Sequence, residues 1–112
     1  MKRLWRISLE NKSKAQTYIG FVLRTGKFRI GTNAVQTLKS AQLMIVCCSA
    51  SDNTKKQADK IAKKFHCPII ETVSSTLEQF THRENAKVMA ITDKSLSTAI
   101  LSNLENDFIA RN

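Results

Sequence analysis

Leu43-Met44-Ile45-Val46-Cys47-Cys48 is a short, unbroken apolar run. A strand wetted on one face alternates apolar with polar residues; a strand covered on both faces does not. The run is therefore read as a buried strand of a parallel-type sheet, sheathed by helices. Val88-Met89-Ala90-Ile91-Thr92 repeats the pattern further along. Between the two runs, Ala58, Ile61, Ala62 and Phe65 recur at i, i+3, i+4 and i+7, one stripe of a helix. Lys55, Lys56, Lys60, Lys63 and Lys64 surround that stripe. Ser49 to Asn53, just ahead of it, is turn and cap chemistry. Pro68-Ile69-Ile70 begins another short strand.

The same alternation extends outward. Ala15, Tyr18, Ile19 and Val22 predict a helix that Thr25-Gly26 closes. Lys27 to Ile30 reads as a short strand, and Gly31 breaks it. Thr32 or Asn33 is the expected cap of a second helix, which turns Val35 and Leu38 inward. Thr76 to Arg83 predicts a short helix with Leu77 and Phe80 inward, and Leu96, Ala99 and Ile100 mark a last helix. Strands alternating with helices indicate the α/β class. There is no internal repeat, low-complexity tract or linker, so one domain is expected over residues 1–112. Residues 1–11 and 105–112 are read as frayed ends. A chain of 112 residues, 42% of them apolar, is long enough to bury a core without staples.

The net charge is +9, and its position is informative. Residues 1–40 hold nine cations against one acid, Glu10, and so carry +8 of the total. The remaining 72 residues hold nine cations and eight acids. One end of the chain is thus suited to polyanions. No apolar run approaches about 18 residues, so no membrane span is expected. The start, MKRLWRISLENKSK, has no apolar h-region, so no secretory signal is expected. Three cysteines, two of them adjacent, do not make a disulfide framework and fit a reducing, cytoplasmic setting.

The residues that carry catalysis elsewhere are not convergent here. His66, Cys67 and His82 lack the paired spacing of zinc ligands and are read as structural. Cys47 and Cys48 lie in a buried run, where a thiol's pKa is expected to rise and its reactivity to fall. Asp93 follows an apolar strand and is read as a helix cap. No phosphate-cradling glycine loop is present. Neither a metal, a cofactor nor a small-molecule substrate is expected, and no enzymatic activity. The lysine-rich helix is read as a solvated face.

Thr25-Gly26-Lys27-Phe28-Arg29-Ile30-Gly31-Thr32-Asn33 stands apart. It combines two cations, two glycines and a Thr-Asn pair at a helix start. First-turn N–H groups attract anions, and an Asn amide both donates and accepts, as base-edge recognition requires. The same residues also suit an ordinary strand-to-helix connection with an Asn cap.

The stretch TGKFRIGTN resembles the signature of the archaeal and eukaryotic large-subunit ribosomal-protein family of kink-turn binders. That family has seven-Ae and thirty-e branches, spliceosomal and nucleolar relatives, and small bacterial ribosome-associated homologues. SASDNTKKQADKIAKKFHCPII and TLEQFTHRENAKVMAITDKSLSTAIL resemble its later elements in order and spacing, so the likeness runs from about residue 12 to residue 101. It implies a three-layer α-β-α sandwich around a mixed four-stranded sheet. It implies a non-catalytic, monomeric partner of structured RNA, foremost ribosomal RNA, and of the ribosome. By position, Gly31, Thr32 and Asn33 are implied to face sheared G·A pairs, with Thr37 nearby. Lys27 and Arg29 are implied to meet the backbone. The loop Thr72-Val73-Ser74-Ser75 is implied to lie against a bulged nucleotide, with Val73 supplying an apolar contact. The sequence departs from the family where Ala34 replaces its usual Glu and Thr37 its usual Lys, and where Gln79 or Phe80 stands for a glycine. Those departures leave open a second expectation, the same fold serving as a protein-interaction module.

Overall fold

The structure, a computed structural model, describes residues 14–73, 76–84, 86–104 and 108–111. The elements run α1 (Lys14–Thr25), β1 (Phe28–Ile30), α2 (Thr32–Gln36), β2 (Leu43–Val46), α3 (Asp52–Phe65), β3 (Ile69–Thr72), α4 (Leu77–Thr81), β4 (Val88–Ile91), α5 (Lys94–Leu101) and β5 (Phe108–Ala110). The chain is thus mixed α/β, as its alternating pattern indicated.

The strands form one sheet in the order β1-β4-β2-β3-β5. Only β2 and β3 are parallel; the other pairs are antiparallel. Parallel neighbours need a crossover, and α3 supplies it. Every residue of β2 and of β4 is buried, which is why both runs are uniformly apolar. Ile19, Val22, Ile61, Ile70, Leu77 and Ile100 join them in one core. α1 packs on α5 and α4, whereas α2 packs on α3.

Local chemistry sets the helix ends. Ser51 caps α3 by accepting the Thr54 N–H at 3.2 Å. Thr76 and Gln79 form a reciprocal capping box on α4. Asp93 caps α5, its Oδ1 accepting the Leu96 N–H at 2.9 Å, in the role the sequence assigned it. His66 and His82 each close a helix in the left-handed conformation, at φ 54° and 57°. Those are backbone roles for both histidines.

Two expectations are corrected. The sheet has five strands, not four, and the tail after Leu104 does not fray throughout. Phe108–Ala110 pairs antiparallel with β3. Phe108 is buried and stacks on Phe80 at 5.2 Å. The Arg111 guanidinium then bonds Asp59 of α3 and Glu71 of β3. Three residues are too few to show a strand's period in the sequence; the partner β3 supplies the order. Residues 1–11 lie outside the described residues.

Candidate nucleic-acid interface

The strand register gathers several loops at one end of the sheet. Ile30 pairs with Met89, Val46 with Val88, and Val46 also with Glu71. β1, β2 and β3 therefore all finish where β4 begins. The Gly31 corner, the Cys47–Ser51 turn, Lys87 and the turn that starts at Val73 share that end. Across it, in sheet order, come the β1, β4, β2 and β3 termini. The two outer ones lie three strand spacings apart, roughly 14 Å.

Gly31 forms the outer corner. Its N–H donates to the Val88 carbonyl at 2.8 Å, which ties the corner to β4. Its backbone sits at φ 95° and ψ 143°, a region open essentially to glycine. Gly31 is itself the N-cap of α2, with no side-chain cap bond. The expected Thr32 or Asn33 cap is thus corrected. Both residues lie inside the first helical turn, which frees the Asn33 side chain, exposed to solvent, from a capping duty. α2 has only five residues, so few peptide dipoles add up along it and its pull on anions is small.

The remaining candidates divide. Thr72 is corrected: it is buried at the end of β3, where its hydroxyl accepts the Cys48 N–H at 2.9 Å, whereas Val73 is at the same sheet end, 46% exposed. Ser74 and Ser75 lie outside the described residues. Thr37 is exposed, but its hydroxyl donates to the Ala34 carbonyl at 2.6 Å and so folds back on its own helix. Arg29 is exposed midway along β1, an edge strand, where Nη1 donates to the Phe28 carbonyl at 2.8 Å. Lys27 is not brought to the corner. It precedes β1, about 13 Å of extended chain from Gly31. Its Nζ is 3.6 Å from the Asp93 carboxylate. The Leu96 N–H and the Lys27 charge hold the Asp93 carboxyl below the usual range, against a smaller penalty from burial.

No protein-family model matches the chain, and no curated protein matches it. Among solved structures it is similar to a protein of unknown function from Bacillus halodurans C, with a TM-score of 0.69 and 19% identity. The match covers 81% of this chain and 96% of the other. At that identity the likeness shows a shared fold alone.

The middle of the sheet end holds a cluster that the sequence did not disclose. Lys87 Nζ donates to Ser49 Oγ at 2.9 Å and to Glu78 at 2.7 Å. The Glu78 carboxylate raises the Lys87 pKa, so the ammonium stays charged. Cys47 Sγ lies 3.0 Å from Ser49 Oγ and accepts the Leu77 N–H at 3.3 Å. The expected rise in the Cys47 pKa is corrected. Burial does push it up, but the hydrogen bonds from Ser49 and Leu77, with the Lys87 charge, outweigh burial and leave it lowered. The sulfur is nonetheless wholly buried, so it anchors the start of α4 rather than meeting a reactant. Burial does raise the Cys67 thiol, as expected for an apolar setting. The one sequence signal for this cluster is a lysine directly before an apolar strand. Its partners are too distant in the chain to be read.

Among the described residues, no group of three or more His, Cys, Asp or Glu is placed to hold a metal ion. Nor is any helix among them long and apolar enough to cross a membrane.

Proposed function

We propose that this protein binds structured RNA at the sheet end bounded by Gly31 and Val73, without catalysing a reaction. The observation that carries the reading is the Gly31 corner. A conformation reserved for glycine, pinned to β4, presents an exposed Asn33 with its amide uncommitted to capping. An Asn amide recognises a base edge, while cations nearby supply affinity that does not depend on sequence. Lys87 stands between Asn33 and Val73, still charged, and Arg29 lines the adjacent edge. Val73 offers an apolar contact for an unstacked base. The resemblance of TGKFRIGTN to kink-turn binders narrows the target to sharply bent RNA, foremost ribosomal RNA. We accordingly read the fold as a three-layer α-β-α sandwich, with α1, α4 and α5 over one face and α2 and α3 over the other. We read the molecule as a cytoplasmic, ribosome-linked monomer.

The test is discrimination between a kink-turn RNA and a plain duplex of equal length. Asn33→Ala is expected to cut that preference by about 1–3 kcal/mol, the usual worth of a good base-edge contact. Ala34→Glu is expected to raise it, because a carboxylate accepts guanine N–H donors. If Asn33→Ala leaves the ratio unchanged and Ala34→Glu weakens both RNAs alike, the reading is wrong.

Two geometric facts favour a protein partner instead. Thr37 is turned back onto Ala34, and the same end exposes the apolar Val73. A protein-interaction module of this fold predicts a partner complex at Val73 and RNA binding no stronger than any basic protein's.

A further inference from the structure

The face of α3 turned away from the core carries Lys56, Lys60 and Lys63, at i, i+4 and i+7. At 3.6 residues per turn these three fall within about 60° of one another and span roughly 10 Å along the axis. They lie opposite Ala58, Ile61 and Ala62, which are buried. The sequence offers two acids to neutralise them. Asp52 precedes Lys56 by four residues, and Asp59 precedes Lys63 by four, each in the order that favours an ion pair. Neither pair is among the ion pairs of the described residues. Asp59 is turned away onto Arg111, whose Nε and Nη2 donate to it at 3.0 and 2.7 Å. The Arg111 contact is the largest cause that holds the Asp59 carboxyl below its usual range, and the Lys63 charge adds to it, so Asp59 offsets Lys63 only in part and leaves Lys56 and Lys60 unopposed by it.

We infer that this stripe is a second RNA-contacting surface, which follows the phosphates of a strand leaving the sheet end. The inference rests on the RNA-binding reading above. α3 begins at Asp52, shortly after the Cys47–Ser51 turn, and packs on α2, so the stripe starts beside the proposed interface and leads away from it. Neighbouring charges are roughly 5 Å apart along the axis, inside the Debye length of roughly 8 Å at physiological salt, and so act on a polyanion together. A membrane surface would require apolar residues beside the cations. The exposed large apolar side chains among the described residues are Phe21, Val73 and Ile109, and none is on α3.

The experiment uses the full chain with a kink-turn RNA that has one extended stem, and a plain duplex of equal length. Lys56→Gln/Lys60→Gln/Lys63→Gln is compared with the parent and with the matching triple Lys→Arg variant. Glutamine and arginine are both good helix formers at exposed sites, and circular dichroism checks the fold. Each lost phosphate contact removes about 0.7–0.9 from the slope of log affinity against log salt. The Gln variant is expected to lose roughly 2.1–2.7 of slope and about tenfold or more in affinity for both RNAs. Its kink-turn preference is expected to stay at the parent's value, and the Arg variant is expected to keep the parent slope. A parent-like slope in the Gln variant overturns the stripe while leaving the Asn33 interface standing. Loss of kink-turn preference with the lysines also overturns it, since α3 would then be the recognition site itself. A parent that binds neither RNA overturns both readings, and tight binding of an acidic protein through these lysines in its place would identify the true partner.

Discussion

At φ 95° and ψ 143° a side chain at position 31 meets its own backbone, although no neighbour stands within 4 Å of where a Cβ would sit. The penalty for Gly31→Ala is therefore conformational rather than steric with respect to the rest of the fold. It is expected to destabilise the protein by about 1–3 kcal/mol in urea unfolding. A change near zero would show that the corner relaxes at no cost, and that its geometry is not what presents Asn33. Gly31 was legible in the sequence as a strand breaker. Its capping role was not, because Asn33 is a better cap former by residue type and Thr32 an equal one, and only the tie to Val88 decides between them. Cys47 makes the same point for chemistry. Its place in an apolar run predicts a raised pKa. The partner that lowers it most, Ser49, is two residues away, but Leu77 and Lys87, which add to it, arrive from thirty or more residues away.

At the scale of elements, the fully buried strands were the most readable. β2 and β4 are apolar throughout because they occupy the centre of the sheet, and position in the sheet is what erases alternation. β5 was unreadable for the opposite reason. It is short, at an edge, and held by side chains remote in sequence. Its clamp yields a test. Asp59 has a depressed pKa in the folded protein, first because Arg111 donates to it and also through that residue's charge. Stability from such a group is present above its unfolded pKa, near 3.9, and is lost as pH falls through the lower folded value. Arg111→Gln is expected to cost about 1 kcal/mol at pH 7, a modest figure because both partners are partly open to solvent. The gap between parent and variant in chemical denaturation is expected to close as the pH is lowered below about 4. Stability curves that stay parallel down to pH 2 would mean that the Arg111 contacts do not hold β5 in place.

For the whole molecule, charge and topology point the same way. Lys14, Arg24, Lys27, Arg29 and Lys39 stand within residues 14–40 with no acid among them. Meanwhile Asp59, Glu71 and Glu78 pair with cations outside that stretch, and Asp93 pairs with Lys27 alone within it. The positive field is therefore left largely unopposed at the surface, which favours a polyanionic partner. Only the topology, however, gathers the residues of the proposed interface at one end of the sheet. The sequence grouped Lys27 with Gly31 because they are four residues apart; the extended strand between them sends them to opposite ends of the sheet. Val73 is forty-two residues from Gly31 in the chain and shares its end. The most direct measurement is a map of backbone-amide shifts as labelled protein is titrated with a kink-turn RNA. Saturable changes are expected at Gly31, Asn33, Lys87 and Val73, continuing along α3 at Lys56 and Lys60, with Lys27 and α5 little affected. Changes confined to α1 or α5, with the Gly31–Val73 end silent, would contradict the proposed interface.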